Sequence, residues 1–232
     1  MKKFLVIGNP IDHSLSPKIH NYWIKKNNIN AIYEKKKINE IDLKKIIFDI
    51  KNEKLHGINV TVPFKKSVIK HLDAVTSIAK KTQSVNTIYK ESNKIIGDNT
   101  DVGGFERSLK DINYKFQNKK IFILGAGGVV GSIILALKNL SVGEIVLSNR
   151  TMDKAVNLKK IYTDLQIVDW GFLPSFDVII NATSLGLKKE DKININLQNI
   201  GDNKLLYDVI YNPSITNFLK EGKKLKNKTE NG

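Results

Sequence analysis

The chain has 232 residues, contains no cysteine and carries a formal net charge of +15. This length can bury the core of one large domain or two small ones, and the missing cysteines exclude disulfides, thiolate metal sites and a cysteine nucleophile. The charge invites a nucleic-acid partner, but it comes from scattered lysines, with only Arg107 and Arg150 as arginines, and without the interleaved aromatics that stack on bases. No apolar run approaches the roughly 18 residues of a membrane span, so we expect a cytoplasmic protein without a nucleic-acid or membrane partner.

The first predicted elements are a strand and a helix joined by a polar loop. Residues Lys3–Ile7 form an apolar run that ends in the turn cluster Gly8-Asn9-Pro10, which is typical of a buried strand. Ser16 precedes Pro17, which favours a helix start at this point. By themselves, Ser14 and Ser16 can be explained as turn and capping residues. The predicted helix carries an apolar stripe made of Leu15, Ile19, Tyr22 and Trp23.

A strand, a helix and a second strand follow at the spacing of a βαβ unit. The strands are predicted at Ala31–Lys36 and Gly57–Val62, with an amphipathic helix over Asp42–Asn52 between them. Such a unit implies parallel strands and a right-handed crossover. The helix residues predicted to face inward are Leu43, Ile46, Ile47 and Ile50.

The end of the second of these strands combines a proline with several polar side chains. Pro63 cannot donate a hydrogen bond to a sheet but suits the first turn of a helix, so we predict a helix over Pro63–Leu72. Asn59 and Thr61 share one face of the strand, and the amine of Lys65 follows directly. Open α/β sheets bind their ligands at such strand ends, although a lone lysine is usually a surface residue.

The next segment predicts a helix, a hairpin and a second helix start. The helix is expected at Asp73–Lys81, and the hairpin pairs Ser84–Tyr89 with Lys94–Gly97. Asn86 lies in the first hairpin strand. Asp101 stands where a new helix begins, and a capping role would by itself explain it.

A glycine-rich turn in the second half predicts a dinucleotide site. The apolar strand Lys120–Leu124 runs into Gly125-Ala-Gly-Gly-Val-Val-Gly131, and a helix continues through Asn139. Glycines at the first and third positions allow a tight turn and close approach of a pyrophosphate to the helix N-terminus. Val130 fills the third glycine position of the motif, so the helix is expected to pack slightly differently. Further strands are predicted at Gln166–Asp169, Asp177–Ile180 and Leu205–Val209.

The strand after the glycine-rich turn indicates which dinucleotide is bound. Glu144–Ser148 ends without the acidic residue that holds the ribose 2′-hydroxyl of NAD, and Asn149-Arg150-Thr151 follows instead. Arg150 can be a solvated loop charge, but its guanidinium also suits a 2′-phosphate. We therefore expect NADP rather than NAD.

Taken together, the elements predict an α/β protein of two domains. Residues 1–101 form a mostly parallel α/β domain, and residues 102–232 form a Rossmann-type domain, with Gly103-Gly104 as a plausible hinge. No metal site is expected.

The sequence Asn59-Val-Thr-Val-Pro-Phe-Lys65 resembles the signature of shikimate dehydrogenases. Four other segments match the same family in the same order, so the resemblance spans residues 4 to 217. It implies a substrate-binding first domain, an NADP(H)-binding second domain, and the reversible NADPH-dependent reduction of 3-dehydroshikimate to shikimate in chorismate and aromatic amino acid biosynthesis. It also implies a monomer or homodimer that acts on small molecules.

The resemblance assigns roles to individual residues. Lys65 is implied to be the catalytic acid/base, and Asp101 the carboxylate that faces it. The residues implied to contact substrate are Ser14, Ser16, Asn59, Thr61, Asn86 and Tyr211, although Tyr211 can equally be an aromatic that fills a domain seam. The residues implied to contact the cofactor are Gly125, Ala126, Gly127, Gly128, Val129, Asn149, Arg150, Thr151, Lys154, Asn181, Ala182, Thr183 and Ser184.

The chain departs from the family pattern at its end. The family continues beyond an Asn-Gly like Asn231-Gly232 with a glutamine that contacts substrate and a final helix, and this sequence stops there. We therefore expect either a fragment or a truncated form. Alternatives to the main reading are a quinate/shikimate dehydrogenase, a catalytically impaired relative that only binds ligand, and a nucleic-acid binder.

Overall fold

Two sheets of six strands organise the chain, and a computed structural model describes all of residues 1–232. The chain divides into two units, Met1–Val102 and Gly103–Gly232, and each has its own apolar core. The predicted α/β class with a Rossmann-type second sheet is confirmed. No helix of the protein combines the length and the apolar character that a membrane span requires.

The first unit contains six strands, three α-helices and two short 3-10 turns. The strands are β1 (Lys2–Gly8), β2 (Ala31–Lys37), β3 (Gly57–Val60), β4 (Ala74–Val75), β5 (Thr87–Glu91) and β6 (Lys94–Asp98). The helices are α1 (Ser16–Lys26), α2 (Leu43–Lys51) and α3 (Ser77–Thr82), and the 3-10 turns are Glu40–Asp42 and Ser67–His71. A fourth helix, α4 (Asp101–Asp111), begins at the end of this unit.

The first sheet has the order β2-β1-β3-β5-β6-β4. β1 lies between β2 and β3 and is parallel to both, which confirms the predicted parallel βαβ unit. β5 and β6 form the predicted antiparallel hairpin, and β5 is also antiparallel to β3. The four inward residues predicted on α2 are all buried. In contrast, the apolar stripe predicted on α1 is exposed, and no residue of that helix is buried.

Two predicted helices of the first unit are wrong in part, because non-local hydrogen bonds override the local pattern. Over Pro63–Leu72 only the 3-10 turn Ser67–His71 forms. The carbonyl of Lys65, which a helix would direct at Ile69, accepts instead from the Val85 amide at 2.8 Å. Over Asp73–Lys81 the chain first pairs with β6, since the amide of Asp73 donates to the Ile95 carbonyl. The helix α3 begins only at Ser77, where Thr76 supplies the cap.

The second unit is a doubly wound parallel sheet. Its strands are β7 (Lys120–Leu124), β8 (Glu144–Ser148), β9 (Gln166–Val168), β10 (Val178–Asn181), β11 (Leu205–Asp208) and β12 (Lys228–Asn231). Its helices are α5 (Val130–Asn139), α6 (Met152–Ile161) and α7 (Asn217–Lys224). All strands are parallel, in the order β12-β11-β10-β7-β8-β9. The winding therefore reverses between β7 and β10, where such sheets bind ligands.

The central strand β7 explains why this sheet forms. Its residues Ile121, Phe122, Ile123 and Leu124 are all fully buried. Alternate side chains point to opposite faces of a strand, so Ile121 and Ile123 join the core under α5, while Phe122 and Leu124 join the core under α7. A continuous apolar run is typical of a parallel strand that is covered on both faces.

The stability of the first unit is expected to depend on its buried sheet residues. Ile88, in β5, is 0% exposed, whereas Ile41 is 87% exposed. We predict that Ile88→Ala lowers the free energy of unfolding by about 2–5 kcal/mol, since it removes buried methyl groups and leaves a cavity. The matched variant Ile41→Ala should stay within about 0.5 kcal/mol of the parent. Urea unfolding measures both, and equal losses in the two variants would contradict the packing described here.

Candidate active site

An ion pair between Lys65 and Asp101 forms the centre of the candidate site in the first unit. Lys65 follows the end of β3, and Asp101 is the first residue of α4. The Lys65 Nζ lies 2.7 Å from Asp101 Oδ2, and the two side chains are 13% and 21% exposed. The hydrogen bond from the Val85 amide to the Lys65 carbonyl fixes the lysine backbone. A charged amine is thus held in one place while part of it stays accessible.

Asn86 orients the carboxylate of this pair. Its Nδ2 donates to Asp101 Oδ1 at 2.8 Å and to Thr100 Oγ1 at 2.9 Å, and its Oδ1 accepts from the Thr100 amide at 2.9 Å. The two oxygens of Asp101 therefore have different partners, with Lys65 on one and Asn86 on the other. Such a supported carboxylate keeps the amine of Lys65 in a defined position.

Asn59 lies behind this group and uses its amide within the protein. Its Nδ2 donates to the Asn86 carbonyl and to Thr87 Oγ1, both at 3.1 Å. Its Oδ1 accepts from the Tyr33 hydroxyl at 2.6 Å. Both N–H groups of the Asn59 amide are therefore occupied, and the geometry favours a supporting role for this residue.

Tyr33, Thr87 and Thr100 are site residues that the sequence reasoning missed. Tyr33 is the one buried residue of the lysine-rich strand β2. Its ring stacks on His20 with centroids 4.1 Å apart, and burial raises the pKa of Tyr33 and lowers the pKa of His20. The sequence could have identified Tyr33, because it is an aromatic residue within a run of lysines. Thr87 and Thr100 carry no such signal, because their roles depend on pairing with distant residues.

The other predicted substrate residues of this unit are Ser14, Ser16 and Thr61. Ser14 Oγ accepts from the Ser16 amide at 3.3 Å. The Thr61 backbone is fixed by bonds to Ile7 and Phe64, while its hydroxyl forms no hydrogen bond within the protein. The hydroxyls of Ser14 and Thr61 thus retain hydrogen-bonding capacity for a ligand.

The glycine-rich turn of the second unit leaves room for a phosphate. Gly125 has φ +108°, and a Cβ built on it would lie 2.8 Å from the Ala182 carbonyl oxygen, so a side chain is excluded there. A Cβ on Gly127 would meet nothing within 4 Å. Val129 precedes α5, and the amide of Val130, its first residue, donates to the Gly127 carbonyl at 3.1 Å, so the turn leads directly into the helix N-terminus. Ala126 and Gly128 complete this turn. These features fit a pyrophosphate at the N-terminus of α5.

The end of β8 fits a 2′-phosphate. Ser148 is buried, Asn149 Nδ2 donates to the Thr151 carbonyl at 2.7 Å, and Arg150 is exposed. No ion pair engages Arg150. Lys154 is exposed in the first turn of α6. No carboxylate directly follows the strand, the first one along the chain being Asp153 in the first turn of α6, and the exposed cations Arg150 and Lys154 match NADP.

The remaining predicted residues of the second unit lie after β10 and β11. Asn181 is the last residue of β10, and Ala182, Thr183 and Ser184 follow it beside Gly125. Tyr211 follows β11 and is 48% exposed. No group of three or more histidine, aspartate or glutamate residues is placed to hold a metal ion.

Family models match both units. The shikimate dehydrogenase substrate binding domain matches residues 6–88, and the shikimate/quinate 5-dehydrogenase model matches residues 107–210. The matched ranges contain Lys65 and Asn86 in the first unit and the glycine-rich turn and Arg150 in the second.

Relatives of known structure or curated function are similar over the whole chain. A shikimate dehydrogenase (NADP+) from Pelagibacter ubique is 58% identical over 231 residues, which cover 100% of this chain and 87% of the relative. The crystal structure of shikimate dehydrogenase from Aquifex aeolicus matches with a TM-score of 0.92 and 38% identity, covering 100% of this chain and 86% of the other. A shikimate dehydrogenase in complex with NADP+ matches with a TM-score of 0.93 and 32% identity, covering 100% and 84%. The chain belongs to the shikimate dehydrogenase family.

Proposed function

We propose that the chain catalyses the reversible NADPH-dependent reduction of 3-dehydroshikimate to shikimate, a step of aromatic amino acid biosynthesis. The observation that carries the proposal is the 2.7 Å contact of Lys65 with Asp101, whose second oxygen is held by Asn86. In this proposal residues 1–101 bind the substrate and residues 102–232 bind NADP(H).

Lys65 acts as the acid/base of the reaction. NADPH, when bound by the second unit, would supply the hydride that reduces the ring carbonyl of the substrate. Negative charge then develops on the carbonyl oxygen, and the Lys65 ammonium donates the proton that converts this oxygen to a hydroxyl. Asp101 holds the ammonium in position for this transfer. In the direction of oxidation, the lysine amine takes the hydroxyl proton back.

Polar groups of the first unit hold the substrate around this lysine. Ser14 and Ser16 bind its carboxylate through their hydroxyls, which orient an anion without burying a fixed ion pair. Thr61 and Asp101 bind its ring hydroxyls, and the unbonded hydroxyl of Thr61 supports this assignment. A substrate contact by Asn86 remains a prediction, because both of its N–H groups are used on Asp101 and Thr100. Asn59 is proposed to act through its bond to the Asn86 carbonyl. A substrate contact by Tyr211 remains a prediction.

NADP is bound at three strand ends of the second unit, those of β7, β8 and β10. The pyrophosphate lies against the Gly125–Val129 turn, where Gly127 leaves open space. The 2′-phosphate is held by Arg150 with the help of Asn149, Thr151 and Lys154. The Asn181–Ser184 segment contacts the cofactor from the neighbouring strand.

Three alternatives and two further expectations stand beside the main proposal. Quinate oxidation and ligand binding without turnover are not favoured, and nothing in the site selects a nucleic acid. A cytoplasmic location and a monomeric or homodimeric state remain predictions. Reduction of NADP+ by the purified chain, measured with shikimate and separately with quinate, tests the substrate directly.

The role of Lys65 can be tested against its neighbour. We predict that Lys65→Ala lowers kcat for shikimate-dependent NADP+ reduction by about 100-fold or more, while the Kd for NADP+ stays unchanged. Lys66→Ala, which changes the adjacent exposed lysine, should retain activity. Steady-state kinetics and cofactor titration measure these effects. A matching loss of NADP+ affinity in Lys65→Ala would refute the acid/base assignment.

The role of Arg150 can be tested by charge reversal. We predict that Arg150→Asp lowers the preference for NADP+ over NAD+ by about 10-fold or more, because the 2′-phosphate loses a charged partner and meets a carboxylate. Arg107→Asp makes the same charge change at the other arginine, which is exposed on α4, and should leave the preference unaltered. The measurement is kcat/KM with each cofactor. An unchanged ratio in Arg150→Asp would refute the proposed phosphate contact.

A further inference from the structure

A buried carboxylate in the second unit has no cation beside it. Asp208, the last residue of β11, is 0% exposed, and no ion pair engages it. Three donors satisfy its oxygens instead. Oδ1 accepts from Asn181 Nδ2 at 3.1 Å and from the Ile210 amide at 3.0 Å, and Oδ2 accepts from Thr216 Oγ1 at 2.7 Å.

Asn181 connects this carboxylate to the loop that follows β10. Asn181 and Asp208 are register partners at the ends of two adjacent strands, and Asn181 is also 0% exposed. Besides Asp208, its Nδ2 donates to the Leu185 carbonyl at 3.0 Å. Its Oδ1 accepts from the Thr183 amide at 3.1 Å and from the Thr183 hydroxyl at 2.7 Å. The loop Thr183–Leu185 is thus held by one side chain, whose amide orientation Asp208 determines.

Asp208 also holds Thr216, whose side chain lies beside the end of this loop. Thr216, which donates to Asp208, caps α7 by accepting from the Leu219 amide at 3.3 Å. Gly186 closes the loop with φ +127°, and a Cβ there would lie 3.2 Å from side-chain atoms of both Ile210 and Thr216. Asp208 therefore holds residues that lie beside both ends of the loop, Asn181 at its start and Thr216 next to Gly186.

The chemistry of the Asp208 carboxylate indicates a role beyond packing. A buried carboxylate without a cation loses hydration, which is why burial raises the pKa of Asp208. Each of its three partners is a donor, so an acceptor-only group satisfies them all. An amide of the same shape would direct its N–H groups at the Thr216 hydroxyl, which would then have to accept from it as well as from the Leu219 amide. The charge that strengthens the bonds from Asn181 and Ile210 would also be lost.

We propose that Asp208 is a positioning residue for cofactor binding, which sets the Thr183–Leu185 loop through Asn181 and thereby determines the affinity for NADP. The inference rests on the proposed function only for the identity of the ligand. Ala182 directly precedes the loop, and its carbonyl oxygen lies beside Gly125 at the reversal of the sheet. A displaced loop would therefore disturb the turn that accepts the pyrophosphate.

The first test uses the isosteric variant Asp208→Asn. We expect the Kd for NADP+ to rise about 10-fold, from the loss of hydrogen bonds to a charged group, while kcat at saturating cofactor stays within about twofold. Ile179→Val removes one methyl group from the buried part of β10 without touching this network, so it lowers stability and should leave the Kd unchanged. An unchanged Kd in Asp208→Asn, or an equal rise in both variants, would overturn the proposal.

A cycle with Asn181 tests whether Asp208 acts through that residue. Asn181→Ala should also raise the Kd, and adding Asp208→Asn to it should cause a much smaller further rise than Asp208→Asn causes in the parent chain. Independent, multiplicative effects would overturn the proposed connection.

Amide hydrogen exchange of the ligand-free protein gives a readout that does not require NADP. We expect faster exchange over residues 183–186 in Asp208→Asn and unchanged exchange there in Ile179→Val. Unchanged exchange in Asp208→Asn would overturn the inference, whereas failure of the parent chain to bind NADP+ would count against the proposed function alone.

Discussion

The contact between Lys65 and Asp101 is the interaction on which the first unit's site depends. A largely buried ammonium is stable only with a partner, and the carboxylate at the start of α4 lies 2.7 Å away. The position of that carboxylate in turn depends on Asn86, and Asn86 is placed by β5, which begins at the next residue and pairs with β3. The mixed sheet therefore contributes to the site, because its antiparallel hairpin positions the groups that orient the lysine.

The second unit has a different sheet, but buried polar side chains fix its loops in a similar way. Its all-parallel sheet reverses its winding between β7 and β10, which brings Gly125 and Asn181 to neighbouring strand ends. The apolar strands provide rigidity, while the buried polar residues Asn181 and Asp208 determine the course of the loops. In both units an asparagine side chain links a carboxylate to a loop or strand end, so that the functional groups have few alternative positions.

The sequence predicted the elements whose signal is local. β7 was recognisable because its apolar run leaves no polar face, and the hairpin was recognisable from two short strands around one turn. The helix predicted over Pro63–Leu72 was wrong because the Lys65 carbonyl bonds to Val85, which no local pattern reveals. The support that Tyr33 gives to Asn59 joins residues 26 positions apart and was missed for the same reason. The family resemblance identified the acid/base pair, whereas the network that supports it required coordinates.

A crystal structure of the chain with bound shikimate would test the central claim most directly. If Lys65 is the acid/base, its Nζ should lie within about 2.6–3.2 Å of the hydroxyl that is oxidised, with Asp101 still in contact with the amine. A complex in which shikimate occupies this unit, but its oxidisable hydroxyl lies beyond the reach of Lys65 and of any water bound to it, would contradict the account.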